Sequence, residues 1–430
     1  MFVQLSIAVK HNETLGRKEF INLCSFTKRM KDVLKEITPT RKEQQEVNNI
    51  VKHITKSIHI PYTKITLGGS SAKGTWLKNN HDIDLYIKFN PEKYEGIDIA
   101  EVLKDNIKDA TVLHGSRDYL QKKEGKYTIE LIPIMDIKNV EHAQNITDIS
   151  PFHAKWVNKH KKYRKDILLA KAFAKANGFY GAESFIKGFS GYSIEVLTIH
   201  YKGFKSLLKN VAEWKQTTTI DTEKHHKKKV QLNQAKMLSP LILVDPVQST
   251  RNVTAVVSQE KYDLFKKKGK EYLRSPKKEM FVKKEFSLEE IQKKKGEKII
   301  LKLVPLEGKR DVVGAKLLKC FEYMRDQLKE HEFEIKEANW HWKEGENATL
   351  YYFFKDKKLS QTIKHYGPPI SEKERLSNFK QIWKQYPLKN ENGKSYVILP
   401  RKYSSPKELV SHLLDSEIIK SRVKEISINR

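Results

Sequence analysis

The apolar positions change period several times along the chain, and each change marks a boundary between elements. Segments 18–36 and 41–58 carry apolar residues at helical spacing, with Thr40 placed to cap the second. Alternating or continuous apolar runs follow at 62–67, 82–89 and 127–135, with a helical stretch near 97–109 between the last two. That order predicts a small mixed sheet flanked by helices. From 151 to 214 the spacing becomes mainly helical, with Leu168, Leu169, Ala172, Phe173 and Ala176 on one stripe and a second stripe over 189–214. Farther on, Ile299, Leu301 and Leu303 alternate, Leu317, Leu318, Phe321 and Leu328 share a helix face, and strand-like runs occupy 333–342 and 348–355. The β-α-β-β order suits a helix packed on a sheet, and a mixed α/β tail follows over 367–430. The expected class is α+β. Its expected divisions are a head over 1–149, a helical neck over 150–257, a body over 258–366 and a tail over 367–430.

Composition narrows the partners. With 430 residues, 38% of them hydrophobic, the chain can bury several cores. Lys and Arg number 82 against 53 Asp and Glu, a net charge of +29 that favours a polyanion, nucleic acid first. The bland alternative is a solubility surface rich in lysine. Met1 to Val9 lacks a basic leader and a small-residue cleavage site, so no signal peptide is expected. No window reaches the roughly 20 apolar residues of a membrane helix. Cys24 and Cys320 are the only cysteines, which rules out a disulfide framework and fits a reducing cytoplasm. The run Lys224-His225-His226-Lys227-Lys228-Lys229 reads as a solvated loop sooner than as a site.

Candidate chemistry concentrates in Gly68-Gly69-Ser70-Ser71-Ala72-Lys73-Gly74-Thr75, followed by Asp82-Ile83-Asp84-Leu85. Glycines allow a backbone to approach a phosphate closely, and hydroxyls, amides and Lys73 supply donors and charge. Alone the loop is an ordinary turn. The spacing to Asp82 and Asp84 changes its meaning, because carboxylates two apart on a strand share a face about 6.5–7 Å apart. Their repulsion is costly unless a cation or water screens it. Magnesium takes oxygen ligands and shares them with substrate phosphates, so a third carboxylate is wanted. Glu130, set in Tyr127-Thr128-Ile129-Glu130-Leu131-Ile132-Pro133, is the candidate, with Asp136 as the runner-up.

A Gly-Ser loop, Asp-x-Asp on the next strand and a carboxylate on a later strand resemble the polymerase-beta-like nucleotidyltransferase superfamily. Downstream, Ser150-Pro151-Phe152-His153-Ala154-Lys155-Trp156, Lys175-Ala176-Asn177-Gly178-Phe179-Tyr180-Gly181-Ala182-Glu183 and Gly188-Phe189-Ser190-Gly191-Tyr192 resemble the archaeal-type (class I) CCA-adding enzymes. So do Val244-Asp245-Pro246-Val247, Arg251-Asn252-Val253 and His365-Tyr366-Gly367-Pro368-Pro369. The stretch over 258–296 is Lys-rich and matches no motif. The resemblance implies a nucleotidyltransferase head, a nucleotide-recognising neck, a ferredoxin-like body and a tRNA-gripping tail. It implies template-independent addition of C, C and A to tRNA from CTP and ATP, with release of pyrophosphate and Mg2+ as cofactor. By matching motif, Asp82, Asp84 and Glu130 would hold metal, and Ser70 and Lys73 would contact the triphosphate. His153, Lys171 and Tyr180 would line the nucleotide, and Arg251 would help read its base. Glu130 stands where the family usually has Asp, so its extra methylene asks for a deeper backbone or an altered metal geometry. A poly(A) polymerase-like enzyme and a catalytically inactive RNA-binding protein are the competing readings. Membrane association is not expected, and a homodimer is admitted without being required.

Overall fold

The computed structural model describes residues 30–355 and 359–429. Residues 30–37 are helical; the rest of the helix expected over 18–36, and the segment Met1 to Val9, lie outside the described residues. Two compact units divide between Lys284 and Glu285.

The first unit opens with α1 (Arg41–Ser57), where Thr40 caps as its position predicts. Its hydroxyl accepts from Glu43 N at 3.2 Å, while the Glu43 carboxylate accepts from Thr40 N at 2.8 Å, a reciprocal box. Next come β1 (Thr63–Leu67), the five-residue α2 (Gly69–Lys73), β2 (Asp82–Phe89) and α3 (Ile99–Asn106). The strands β3 (Thr111–Leu113), β4 (Tyr119–Glu124) and β5 (Tyr127–Met135) complete the sheet. Its order is β1-β2-β5-β4-β3, and only β2 and β5 run parallel. Ile83, Leu85 and Ile87 on one face of β2 pack with Ile129 and Leu131 of β5 and Leu103 of α3. The opposite face of β2 carries Asp82, Asp84 and Tyr86 (period two), so the core that buries one set presents the other.

Four helices follow: α4 (Ser150–Lys159), α5 (Arg164–Ala176), α6 (Gly191–His200) and α7 (Phe204–Ala212). All eight residues Ile167 to Ala174 of α5 are buried, so the predicted stripe is a helix covered nearly all round. A small sheet of β6 (Thr218–Asp221), β7 (Leu241–Asp245) and β8 (Gln248–Asn252) had no clear signal in the sequence pattern. The helix α8 (Gln259–Arg274) lies in the Lys-rich stretch and belongs to this unit. Its Tyr262, Phe265 and Tyr272 enter the aromatic core, where Phe179 stacks on Phe265 at 4.4 Å.

The second unit holds α9 (Leu288–Lys293), β9 (Lys298–Pro305), α10 (Arg310–Glu330), β10 (Ile335–His341) and β11 (Ala348–Phe354). Then come β12 (Thr362–Pro369), α11 (Lys373–Ile382), β13 (Lys389–Glu391) and β14 (Lys394–Pro400). The chain ends with α12 (Pro406–Leu414), α13 (Glu417–Lys420) and β15 (Val423–Ile428). The main sheet has the order β10-β11-β9-β15, all antiparallel. With α10 and α12 between strands, this is the β-α-β-β-α-β ferredoxin-like arrangement, completed by the last strand of the chain. The three-stranded sheet β12-β14-β13 with α11 is an insertion between β11 and α12.

Candidate active site

The register of two parallel strands assembles the carboxylates. In the parallel pairing of β2 with β5, Asp84 is the register partner of Glu130 and Asp82 that of Thr128. Register partners in a parallel pair project to the same side of strands about 4.8 Å apart, so Glu130 stands beside Asp84 on the face that also carries Asp82. The runner-up Asp136 follows the last residue of β5, about 20 Å along the strand direction from Glu130 at six residues' separation. It is ion-paired with Lys88. The geometry therefore groups Glu130, not Asp136, with the Asp-x-Asp pair.

The two glycines ahead of Ser70 are there because of what β2 projects toward them. A Cβ on Gly68 would lie 2.6 Å from the Tyr86 ring, and one on Gly69 would lie 1.5 Å from Asp84 Oδ2. Gly69 also takes φ +51°, in the left-handed region. The backbone of the turn thus rests directly on the carboxylate. The predicted loop is in fact one short helix, α2, which carries Ser70 beside that edge and ends at Lys73, where Gly74 takes the left-handed cap.

Crowding shows in the acid–base behaviour. Burial, then the charges of Asp84 and Asp82, push the Glu130 carboxyl up to about 7. Asp84 is also raised, by burial first, against the pull of Lys73. Such a face is short of positive charge, and three hard oxygen donors suit a divalent cation. Among the described residues, no three His, Cys, Asp or Glu side chains are grouped closely enough to hold a metal ion, so Asp82, Asp84 and Glu130 share a face without converging on one point.

Four of the remaining predicted residues, Lys73, Lys171, His153 and Arg251, join two networks, each centred on a buried carboxylate. In the first, Lys73 Nζ and Lys171 Nζ each donate at 2.7 Å to Glu195, and Thr75 Oγ1 donates to it at 2.6 Å. Lys171 also donates to Thr75 O and Oγ1, both at 3.1 Å, which uses all three of its protons. Burial would raise the Glu195 carboxyl, but Lys171 and Lys73 outweigh it and bring it to about 2. In the second network, Asp245 Oδ2 lies 3.0 Å from His153 Nε2 and 2.7 Å from Arg251 Nη1. Its Oδ1 accepts from Tyr192 Oη and from Val247 N, both at 3.0 Å. Burial, which alone would raise Asp245, is overcome by those donors, His153 foremost, and the carboxyl falls to about 2. Burial pulls the His153 imidazole below its ordinary value against the pull of Asp245, and its ring stacks on Tyr192 at 4.0 Å. Tyr180, on the segment leaving α5, packs its hydroxyl against Gly191, where a Cβ would come within 2.7 Å of it.

Glu195 and Asp245 were missed as participants. A lone carboxylate inside Ile194-Glu195-Val196-Leu197-Thr198-Ile199 was the available signal, since an apolar helix buries a charge only with partners. Asp245 stood in a recognised motif without a role. The basic run 224–229 is a largely exposed loop, as expected, tied down by its histidines: His225 Nε2 lies 3.0 Å from the Pro246 carbonyl and His226 Nε2 3.0 Å from that of Ser249 in β8. His365 to Pro369 belongs to β12 in the second unit.

Comparison with known proteins gives the assembly a lineage. A nucleotidyltransferase domain matches residues 45–175, the second domain of tRNA nucleotidyltransferases matches 165–282, and the C-terminal domain of CCA-adding enzymes matches 308–426. A CCA-adding enzyme of Nanoarchaeum equitans is 33% identical over 373 residues, covering 84% of this chain and 90% of that protein. One from Methanosarcina acetivorans is 29% identical over 89% of this chain and 88% of its own length. One from Saccharolobus islandicus is 29% identical over 86% and 88%. Domains in this order, on folds built as described, with a relative sharing a third of its residues along nearly its whole length, leave one conclusion: the chain belongs to the CCA-adding enzyme family.

Proposed function

We infer that the chain is a CCA tRNA nucleotidyltransferase, which adds C, C and A in turn to the 3′ end of tRNA from CTP and ATP and releases pyrophosphate each time. The observation that carries the reading is the register of Asp84 against Glu130, with Asp82 above and Gly69 pressed on the Asp84 carboxylate. The family uses divalent metal ions, and we take Mg2+ as the ion, held by Asp82, Asp84 and Glu130. When bound, it supplies charge neutralisation to the triphosphate and makes the RNA 3′-hydroxyl easier to deprotonate. The chain's own residues do the positioning. Ser70, at the start of α2, offers its hydroxyl and Lys73 its ammonium to the triphosphate, and Tyr180 lines the nucleotide. Lys171 sits behind them. His153 and Arg251, tied to one carboxylate, face the base side, where the guanidinium keeps donors beyond the one given to Asp245. With the α-phosphate held in line with the attacking hydroxyl, the main contribution is orientation.

The head and neck, in the first unit, carry the chemistry, and the ferredoxin-like body with its inserted tail grips tRNA through shape and phosphate contacts. One chain or a homodimer serves the same chemistry. The compartment is the cytoplasm, in keeping with Cys320, which is buried and unbonded. Among the described residues no helix is long and apolar enough to cross a membrane.

The test is Asp84→Ala, assayed on tRNA ending at position 73 and on tRNA ending in CC, with CTP, ATP or both. Both additions should fall by about a thousandfold or more, since one carboxylate set serves both. Removing a crowded buried carboxylate should leave the melting temperature unchanged or raised. A folded Asp84→Ala protein that still adds A at a near-normal rate sinks the single shared site.

A further inference from the structure

Glu195 takes no part in the chemistry above, yet three groups are organised around it. It lies in α6 among Ile194, Val196, Leu197 and Ile199 and is 0% exposed, so neither solvent nor nucleotide touches it. A carboxylate in such a place is retained only when its partners satisfy it fully. Its partners come from two separate parts of the first unit: Lys73 closes α2, the helix that rests on Asp84, and Lys171 lies in the middle of α5. Thr75, also 0% exposed, bonds Glu195 and receives a hydrogen bond from Lys171, closing a ring of contacts.

The two ammonium groups repel each other, and in a buried pocket one would be expelled or would lose its proton without the carboxylate between them. Donor bookkeeping then separates their roles. Lys171 has every proton bound inside the protein, whereas among the described residues Lys73 gives one to Glu195, lies over the Tyr192 ring at 5.8 Å and shows no other hydrogen-bond partner. Lys73 is thus held by one corner with its other donors unspent.

We propose that Glu195 is a positioning residue for nucleotide addition: by clamping Lys73 and Lys171 together across α2, α5 and α6, it fixes Lys73 at the end of α2 for contact with the incoming triphosphate. The proposal rests on the reading of Lys73 as a triphosphate contact. Glu195 acts only through the lysines, so its effect must appear in nucleotide binding and not in tRNA binding.

The experiment measures KM and kcat for CTP and ATP, tRNA affinity and thermal melting for Glu195→Gln, Glu195→Asp, Thr75→Val and Lys73→Ala. Glu195→Gln keeps the shape and removes the charge; KM for both nucleotides should rise about tenfold or more, with kcat at saturation changed much less and tRNA affinity unaltered. Glu195→Asp keeps the charge at shorter reach and should fall between the two. Glu195→Gln with nucleotide KM within about twofold of the parent, whatever its melting temperature, overturns the proposal and leaves a purely structural ion cluster. If Glu195→Gln does not fold, Thr75→Val decides: it preserves every charge and touches no substrate, so a KM rise of about threefold supports transmission through the lysines and an unchanged KM refutes it. Lys73→Ala separates the two levels. An unchanged KM there removes the triphosphate reading and the proposal with it, while a raised KM beside a normal Glu195→Gln removes the proposal alone.

Discussion

Gly69 shows how much chemistry a residue without a side chain can carry. Its backbone occupies the space a Cβ would need, with Asp84 Oδ2 only 1.5 Å from that point, and φ +51° disfavours any L side chain besides. Gly69→Ala must therefore lift α2 off β2 or turn the Asp84 carboxylate away. Expected is a loss of nucleotide addition of about a hundredfold or more, with tRNA affinity retained. Nucleotide addition and tRNA binding measured on the same preparation check this, and a variant with near-parent activity would show that the close approach of turn and carboxylate is dispensable. The same scale explains the networks of Glu195 and Asp245. Each carboxylate is the common acceptor for side chains that the sequence places dozens of residues apart, so each sets several orientations at once.

Among the elements, α8 departs most from what its composition suggests. Its lysines make 258–296 read as an unplaced basic stretch, but Tyr262, Phe265, Gly269 and Tyr272 recur at helical spacing and all four are buried. Lys267, Lys270 and Arg274 take the exposed side. Ser258 caps the helix by accepting from Lys261 N at 3.2 Å. Phe265→Ala should cost about 3–5 kcal/mol, the usual range for emptying a buried phenylalanine site. Charge reversal at Lys267 and Lys270 should shift stability by less than about 0.5 kcal/mol. Denaturant unfolding of both variants tests the assignment, and a small effect at Phe265 would mean that α8 is not part of the core. In the second unit, β9, α10, β10 and β11 were legible from alternation and helical spacing. The closure of their sheet by β15 was not, because a short strand at the chain's end carries no mark of its partner.

For the whole molecule, the net charge of +29 is the property no single element explains. If it serves RNA phosphate, binding of tRNA must release counterions, and affinity should fall at least about a hundredfold between roughly 50 and 200 mM salt. A titration series across that range decides it: a change below about threefold would assign the lysines to solubility instead. The division between Lys284 and Glu285 is likewise a whole-molecule property. It follows from which apolar faces meet, and in the linear sequence that boundary lies inside a lysine-rich stretch without a glycine- or proline-rich linker.

By itself the sequence determined the period of each major element, the Asp-x-Asp strand at 82–89, the strand carrying Glu130 and the family to which the motifs belong. Those are local properties: alternation, helical spacing and a few residues at short separation specify them without knowledge of partners. Only the tertiary structure decided that Glu130 and not Asp136 stands beside Asp84, since the choice depends on strand register across 46 positions. It alone showed that Lys73 and Lys171 meet on Glu195, and that His153 and Arg251 meet on Asp245. A buried carboxylate is satisfied by whatever donors the fold brings to it, and those donors come from separate elements, so no local pattern in the chain can announce the meeting.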